Sequence, residues 1–342
     1  MTPPAAVRMD SVQALRGIAA LSVVLFHAHW IGLSSFGVEL FFVLSGFIIC
    51  YAAAKEPEGF MLKRVCRVVP LYWLATIGIF VGALIVPSLF ASSDPTFGNL
   101  ARSLFFVPFA RGDGLVMPLL FLGWTLNYEM LFYVIFALAL MLSRRLAPMI
   151  AGAVIVALAY AHPLLAPISV PLDFWTKPVI LDFLVGIIAY LIWSRRSAVI
   201  QKLPVLVAAT LAVAMLGLLI MGIPHGISAS IPTKALIGGV LLLAALRLDG
   251  FVKWPATMLL LGDASYSLYL LHPYILQAIN RFVHPLDSSV LGIVVTVIAL
   301  GLAILLALLS FRMVERPSNR ALRHYFEARN LRLLFSTGIY RK

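Results

Sequence analysis

Arg16 and His27 are the first pair of residues whose types and spacing could do chemistry. They lie eleven positions apart in an apolar run. At ~100° per residue a helix would send both side chains out of one face, about 16 Å apart along the axis. A guanidinium at one depth and an imidazole at another could hold an anion and move a proton. Alternatively, Arg16 snorkels to headgroups and His27 is a satisfied core histidine. Glu39 enters the next apolar run at a depth comparable with His27. A carboxylate there would fix the imidazole tautomer and favour its protonated form, unless it is an interfacial carboxylate held by water. Glu129 stands mid-run in Trp124-Thr125-Leu126-Asn127-Tyr128-Glu129-Met130-Leu131-Phe132-Tyr133. It must be neutral, paired or facing a wet cavity; an arginine on another helix could equally be its partner.

Lys63, Arg64 and Arg67 are spaced so that at least two face one way. Clustered guanidinium groups suit bidentate phosphate binding; anchoring to anionic headgroups is the alternative. Asp182, and His272 in Leu271-His272-Pro273, fit a helix-kink role as well as chemistry. The small pair Ser45-Gly46 reads as a notch for helix packing.

The elements that must position these groups are membrane helices. The chain has 342 residues, 62% hydrophobic and 12% charged, with a mean hydropathy of +1.01. Water cannot solvate that surface in a soluble fold. Crossing the ~30 Å hydrocarbon core takes about 20 apolar residues. Ten runs qualify, near 13–32, 36–54, 68–90, 117–142, 147–163, 176–193, 204–223, 234–247, 257–279 and 289–311. Residues 97–110 read as an interfacial helix, broken by Arg102 and Pro108. The fold class is therefore all-α, a polytopic bundle of about ten transmembrane helices with both termini cytoplasmic.

With that orientation, twenty of the 26 Lys and Arg fall in cytoplasmic segments and five in outer ones, Arg16 lying within the first span. The net charge of +12 thus belongs to loops facing an inner leaflet, with membrane lipids as partners and no nucleic acid. The first run reads as a retained span, with no small-residue cleavage site after it. Cys50 and Cys66, near the cytoplasmic side, are expected reduced, with no disulfide and no metal site.

Six blocks of sequence, in order, resemble the acyltransferase family 3 membrane proteins. They are Gln13-Ala14-Leu15-Arg16-Gly17 with His27, the run 41–47, and Lys63-Arg64 with Arg67 and Pro70. Then come Trp124-Thr125-Leu126 with Glu129 and Phe132-Tyr133, Ser265-Tyr266-Ser267-Leu268-Tyr269-Leu270-Leu271-His272, and Val314-Glu315-Arg316-Pro317. Thr125 stands where Ser is more usual, and Lys63 where Arg is.

The resemblance implies a membrane domain over 1–317, with 318–342 a basic cytoplasmic tail. It implies transfer of an acetyl or other short acyl group to an extracytoplasmic polysaccharide or lipid-linked glycan in a bacterial inner membrane. Acetyl-CoA would be the donor, its phosphates on Lys63, Arg64 and Arg67, with no metal. Arg16, His27 and Glu129 would be the catalytic group, His27 as general base or covalent acyl carrier. Trp124, Glu39, Asn127 and Tyr133 would hold the sugar. The resemblance leaves open an association with polysaccharide assembly proteins. Two rival classes remain on the residues alone. One is a proton-coupled secondary transporter, against which stands the lack of visible internal symmetry. The other is a non-catalytic scaffold.

Overall fold

The computed structural model describes residues 9–28, 35–87, 94–221, 233–282, 290–322 and 325–326. Among these the chain is helical, apart from an isolated bridge between Ala110 and Val116. Ten helices of 14 residues or more follow the order of the ten apolar runs. They are α1 (Asp10–His27), α2 (Gly37–Lys55), α3 (Phe60–Ile85), α5 (Gly123–Leu142), α6 (Ala147–Tyr160), α9 (Leu181–Lys202), α10 (Val205–Met221), α11 (Thr233–Leu248), α13 (Ser265–Phe282) and α14 (Val290–Ser310). Shorter pieces lie between them: α4 (Phe97–Leu104), α7 (His162–Leu165), α8 (Val170–Trp175) and α12 (Ala256–Asp263). Five of the helices are long and apolar enough to cross a membrane; α6 and α10 are shorter apolar helices.

Three boundaries differ from the sequence expectation. The third run, expected from residue 68, starts earlier: the basic segment before it is the first part of α3, which begins at Phe60 and runs through Pro70. Gly59, at φ 64°, makes the left-handed turn out of α2 that a residue with a Cβ would resist. The run 257–279 is two helices, because the chain breaks at Ala264 between α12 and α13. The interfacial helix ends early, at Leu104, four residues short of Pro108. Its start is fixed by Thr96, whose side chain accepts from the Asn99 N–H. The basic tail after residue 326 lies outside the described residues, as does most of the 31–35 turn.

Small residues set the helix spacing. A Cβ on Gly46 of α2 would lie 2.2 Å from the Phe183 carbonyl oxygen, and one on Gly186 of α9 would lie 2.0 Å from that of Val43. The two backbones touch there, so the Ser45-Gly46 notch is a packing device. A Cβ on Gly262 of α12 would lie 2.0 Å from the Gln13 carbonyl oxygen, which presses α12 against the start of α1. The Tyr266 hydroxyl donates to the Val68 carbonyl at 2.7 Å, and Tyr274 to that of Ala75 at 2.7 Å. These bonds tie α13 along α3. These contacts hold α2 against α9, α12 against α1 and α13 along α3, and residues of α1, α2, α3, α5 and α13 line a common space.

Candidate active site

That space is a cavity of ≈ 70 Å³ whose lining includes Arg16, Arg64, Arg67 and Glu129. The sequence places these groups by simple helical arithmetic. On α5, Thr125, Glu129 and Tyr133 are successive i, i+4 positions and all three line the cavity. On α3, Arg64 and Arg67 are i, i+3 neighbours, and on α13 so are Tyr266 and Tyr269. Ser45 and Ile48 supply the α2 wall.

Glu129 is well held. One of its oxygens accepts from the Ser45 hydroxyl at 3.2 Å and from the Tyr133 hydroxyl. Arg16 is buried at 8% exposure and donates to the Gln13 side chain at 3.2 Å. The charges around it are Arg67, Glu315, Asp263 and Glu129. Arg16 and Arg67 thus share an electrostatic neighbourhood with carboxylates from three other helical segments, and Arg64 lines the same cavity. Glu315 reaches this region from the π-turn Phe311–Glu315 after α14, where it accepts from Ser267 at 2.5 Å.

His27 does not line the cavity. It ends α1, half-buried, with its Nδ1 2.8 Å from the Val23 carbonyl oxygen. Its ring neighbours include Phe121 at 5.7 Å and His272 at 5.2 Å. His272, fully buried, brings its Nε2 to 3.4 Å from His27 Nδ1. It also lies 6.4 Å, ring to ring, from Tyr269, which lines the cavity. Tyr269 OH is 2.8 Å from the Thr125 hydroxyl. A run of aromatic rings therefore joins the arginine-lined cavity to the imidazole of α1.

The remaining sequence candidates sit elsewhere. Lys63 pairs with Glu56 at 2.7 Å, away from the cavity that Arg64 and Arg67 face. Glu39, expected beside His27, faces Lys234 at 3.4 Å, and that lysine also donates to the Ser35 carbonyl at 2.6 Å. Asp182 shares this electrostatic neighbourhood with Glu39 and Lys234, rather than serving only a kink. Trp124 packs edge-on against Phe42 and Tyr128. Asn127 is buried at 2% with its side-chain oxygen unpartnered. Both positions fall outside the Thr125–Glu129–Tyr133 stripe, and neither lines the cavity.

Sequence reasoning left out Thr125, Tyr266, Tyr269 and Glu315 as site residues and gave His272 little weight. The polar faces of Ser265-Tyr266…Tyr269…His272 at i, i+1, i+4 and i+7 carried the signal: polar atoms repeated on one side of an otherwise apolar helix.

Comparison with known proteins places the chain. A family profile described as an acyltransferase domain matches residues 9–312. The exopolysaccharide production protein ExoZ of Rhizobium meliloti (strain 1021) is 33% identical over 309 residues, covering 86% of this chain and 94% of that protein. The acyltransferase MdmB of Streptomyces mycarofaciens is 27% identical over 338 residues, 85% of this chain and 84% of that protein. The putative membrane-bound transacylase BcsY of Komagataeibacter xylinus is 30% identical over 149 residues, 40% of this chain and 38% of that protein. No solved structure matches the chain. With its ordered motifs and a family profile over most of its length, the chain belongs to the acyltransferase family 3 membrane proteins.

Proposed function

We propose that this protein moves an acetyl group from cytoplasmic acetyl-CoA to a hydroxyl of an extracytoplasmic polysaccharide or lipid-linked glycan, across a bacterial inner membrane that it spans about ten times. The observation that carries the reading is the convergence of Arg16, Arg64 and Arg67 on one cavity with Glu129. Coenzyme A is a polyanion and cannot enter hydrocarbon, whereas its uncharged pantetheine arm can follow a protein-lined path. Arginines at the donor end meet the phosphates as bidentate partners. The relative named for exopolysaccharide production favours a glycan acceptor.

In the reaction, His27 takes the proton of the acceptor hydroxyl as its oxygen attacks the thioester carbonyl carbon. The new ester C–O bond forms and the C–S bond breaks. Its electron pair leaves on sulfur, and the proton held by His27 returns to give the thiol. Glu129 balances the charge of the arginines.

The test is acetyl-CoA consumption and glycan acetylation by purified protein in vesicles, for wild type and His27→Ala. Transfer should vanish in the variant while insertion and folding are retained. An active, well-expressed His27→Ala protein would remove the base assignment. Uptake of a solute without thioester consumption would move the protein to the transporter class.

A further inference from the structure

Two backbone carbonyls determine where the protons sit on the paired histidines. The Val23 carbonyl oxygen, 2.8 Å from His27 Nδ1, can only accept, so the bond requires a hydrogen on that nitrogen. The Leu268 carbonyl oxygen, 3.0 Å from His272 Nδ1, imposes the same condition on the second ring. A neutral His272 then carries a lone pair on Nε2, the atom 3.4 Å from His27 Nδ1. The hydrogen on His27 Nδ1 is therefore shared between two acceptors, one a carbonyl of its own helix and one an imidazole of α13. This leaves His27 Nε2 with the lone pair.

We propose that His272 is a positioning residue for acyl transfer: it accepts from His27 Nδ1 alongside the Val23 carbonyl, supports the tautomer in which Nε2 is the base, and orients the ring toward the acceptor hydroxyl. The proposal rests on the reading of His27 as the base. The backbone supplies each half of the device. His27 reaches Val23 and His272 reaches Leu268, each four residues back within its own helix, so both rings are pinned before they meet. Burial keeps water from competing for His272, whose exposure is 0%. When His27 takes a proton it becomes a cation, and its Nδ1–H bonds strengthen because they are then charge-assisted. A contact that is long in the resting protein can tighten at that moment. Carboxylates commonly play this orienting part beside a catalytic histidine. Here the nearest carboxylate expected from sequence, Glu39, is engaged with Lys234, and an imidazole stands in the orienting place.

The test combines kinetics with ¹⁵N-histidine NMR of the purified full-length protein in bilayers. The wild-type spectrum should show His27, assigned by its loss in His27→Ala, with hydrogen on Nδ1 and none on Nε2. His272→Leu should lower kcat about tenfold or more, leave KM for acetyl-CoA within about twofold, and shift the His27 Nδ1 signal as its second acceptor is lost. In His272→Gln the side-chain oxygen can accept in place of the imidazole nitrogen, so much of kcat and the wild-type Nδ1 signal should return. A wild-type His27 protonated on Nε2 overturns the proposal without any variant. So does His272→Leu with unchanged kcat, or with lost activity but an unchanged His27 signal, which would make His272 a packing residue. Activity persisting in His27→Ala would instead strike the base assignment itself, and the nitrogen signals separate that failure from a failure of the pairing.

Discussion

The hydroxyl of Tyr133 donates to Glu129, one turn earlier on α5, and both side chains face the arginine-lined cavity. The bond holds the carboxylate toward the guanidinium groups while Ser45 supports the same oxygen from α2. Glu129→Gln would keep the shape and remove the charge that offsets Arg16, Arg64 and Arg67. Acyl transfer should fall at least tenfold. Tyr133→Phe removes one hydrogen bond, worth about 1 kcal/mol, and should cost only severalfold. Initial rates with acetyl-CoA check the order; a Tyr133→Phe loss larger than that of Glu129→Gln would contradict it.

Arg64 and Arg67 face the cavity, while their neighbour Lys63 is occupied by Glu56. Arg64→Ala or Arg67→Ala should weaken acetyl-CoA binding about 10- to 100-fold, the scale of a lost charged hydrogen bond of ~1.5–3 kcal/mol. Lys63→Ala should change it less than about threefold. Calorimetry in detergent measures all three, and equal effects would return the arginines to leaflet anchoring.

The touching backbones of α2 and α9 make a separate prediction about folding. Gly186→Ala puts a methyl where the Val43 carbonyl lies 2.0 Å away, so the helices must part. The thermal midpoint in detergent should drop, with a cost of about 1–3 kcal/mol for an overpacked contact. Gly217→Ala on α10 meets no atom within 4 Å and should be neutral or slightly stabilising.

Asp249, in the loop after α11, accepts from the Ser11 N–H at 2.9 Å and from the Ser11 hydroxyl at 2.7 Å. Burial pushes its carboxyl above the usual carboxylate range, and the Ser11 donors oppose that push. Ser11→Ala removes a donor that favours the ionised form. Its destabilisation, about 1 kcal/mol, should be present at pH 7 and fade as the pH falls through that raised value. Melting curves at neutral and acidic pH test the sign.

The polar pattern along single helices was readable from sequence, because i, i+3 and i+4 spacing fixes which side chains share a face. Arg64 with Arg67, and Glu129 with Tyr133, reach the cavity as that arithmetic requires. Which helices stand opposite one another is a property of packing, and the sequence carried it only through small residues such as Gly46 and Gly186. Glu39 shows the gap. Matched depth placed it beside His27, yet Lys234 on α11, nearly two hundred residues later, lies against it. His272 was undervalued for the same reason, since nothing local to Leu271-His272-Pro273 reveals that α13 packs along α1. Trp124 shows the same limit: a tryptophan within a helix offers a stacking face only if its neighbours leave one open, and the sequence does not show that Phe42 and Tyr128 approach it.

The cavity's ≈ 70 Å³ is room for a few water molecules among the side chains that meet there. Tyr133, Tyr266 and Tyr269 line it beside the guanidinium groups, so on the proposed function a donor arm would displace those waters and pass among three phenols.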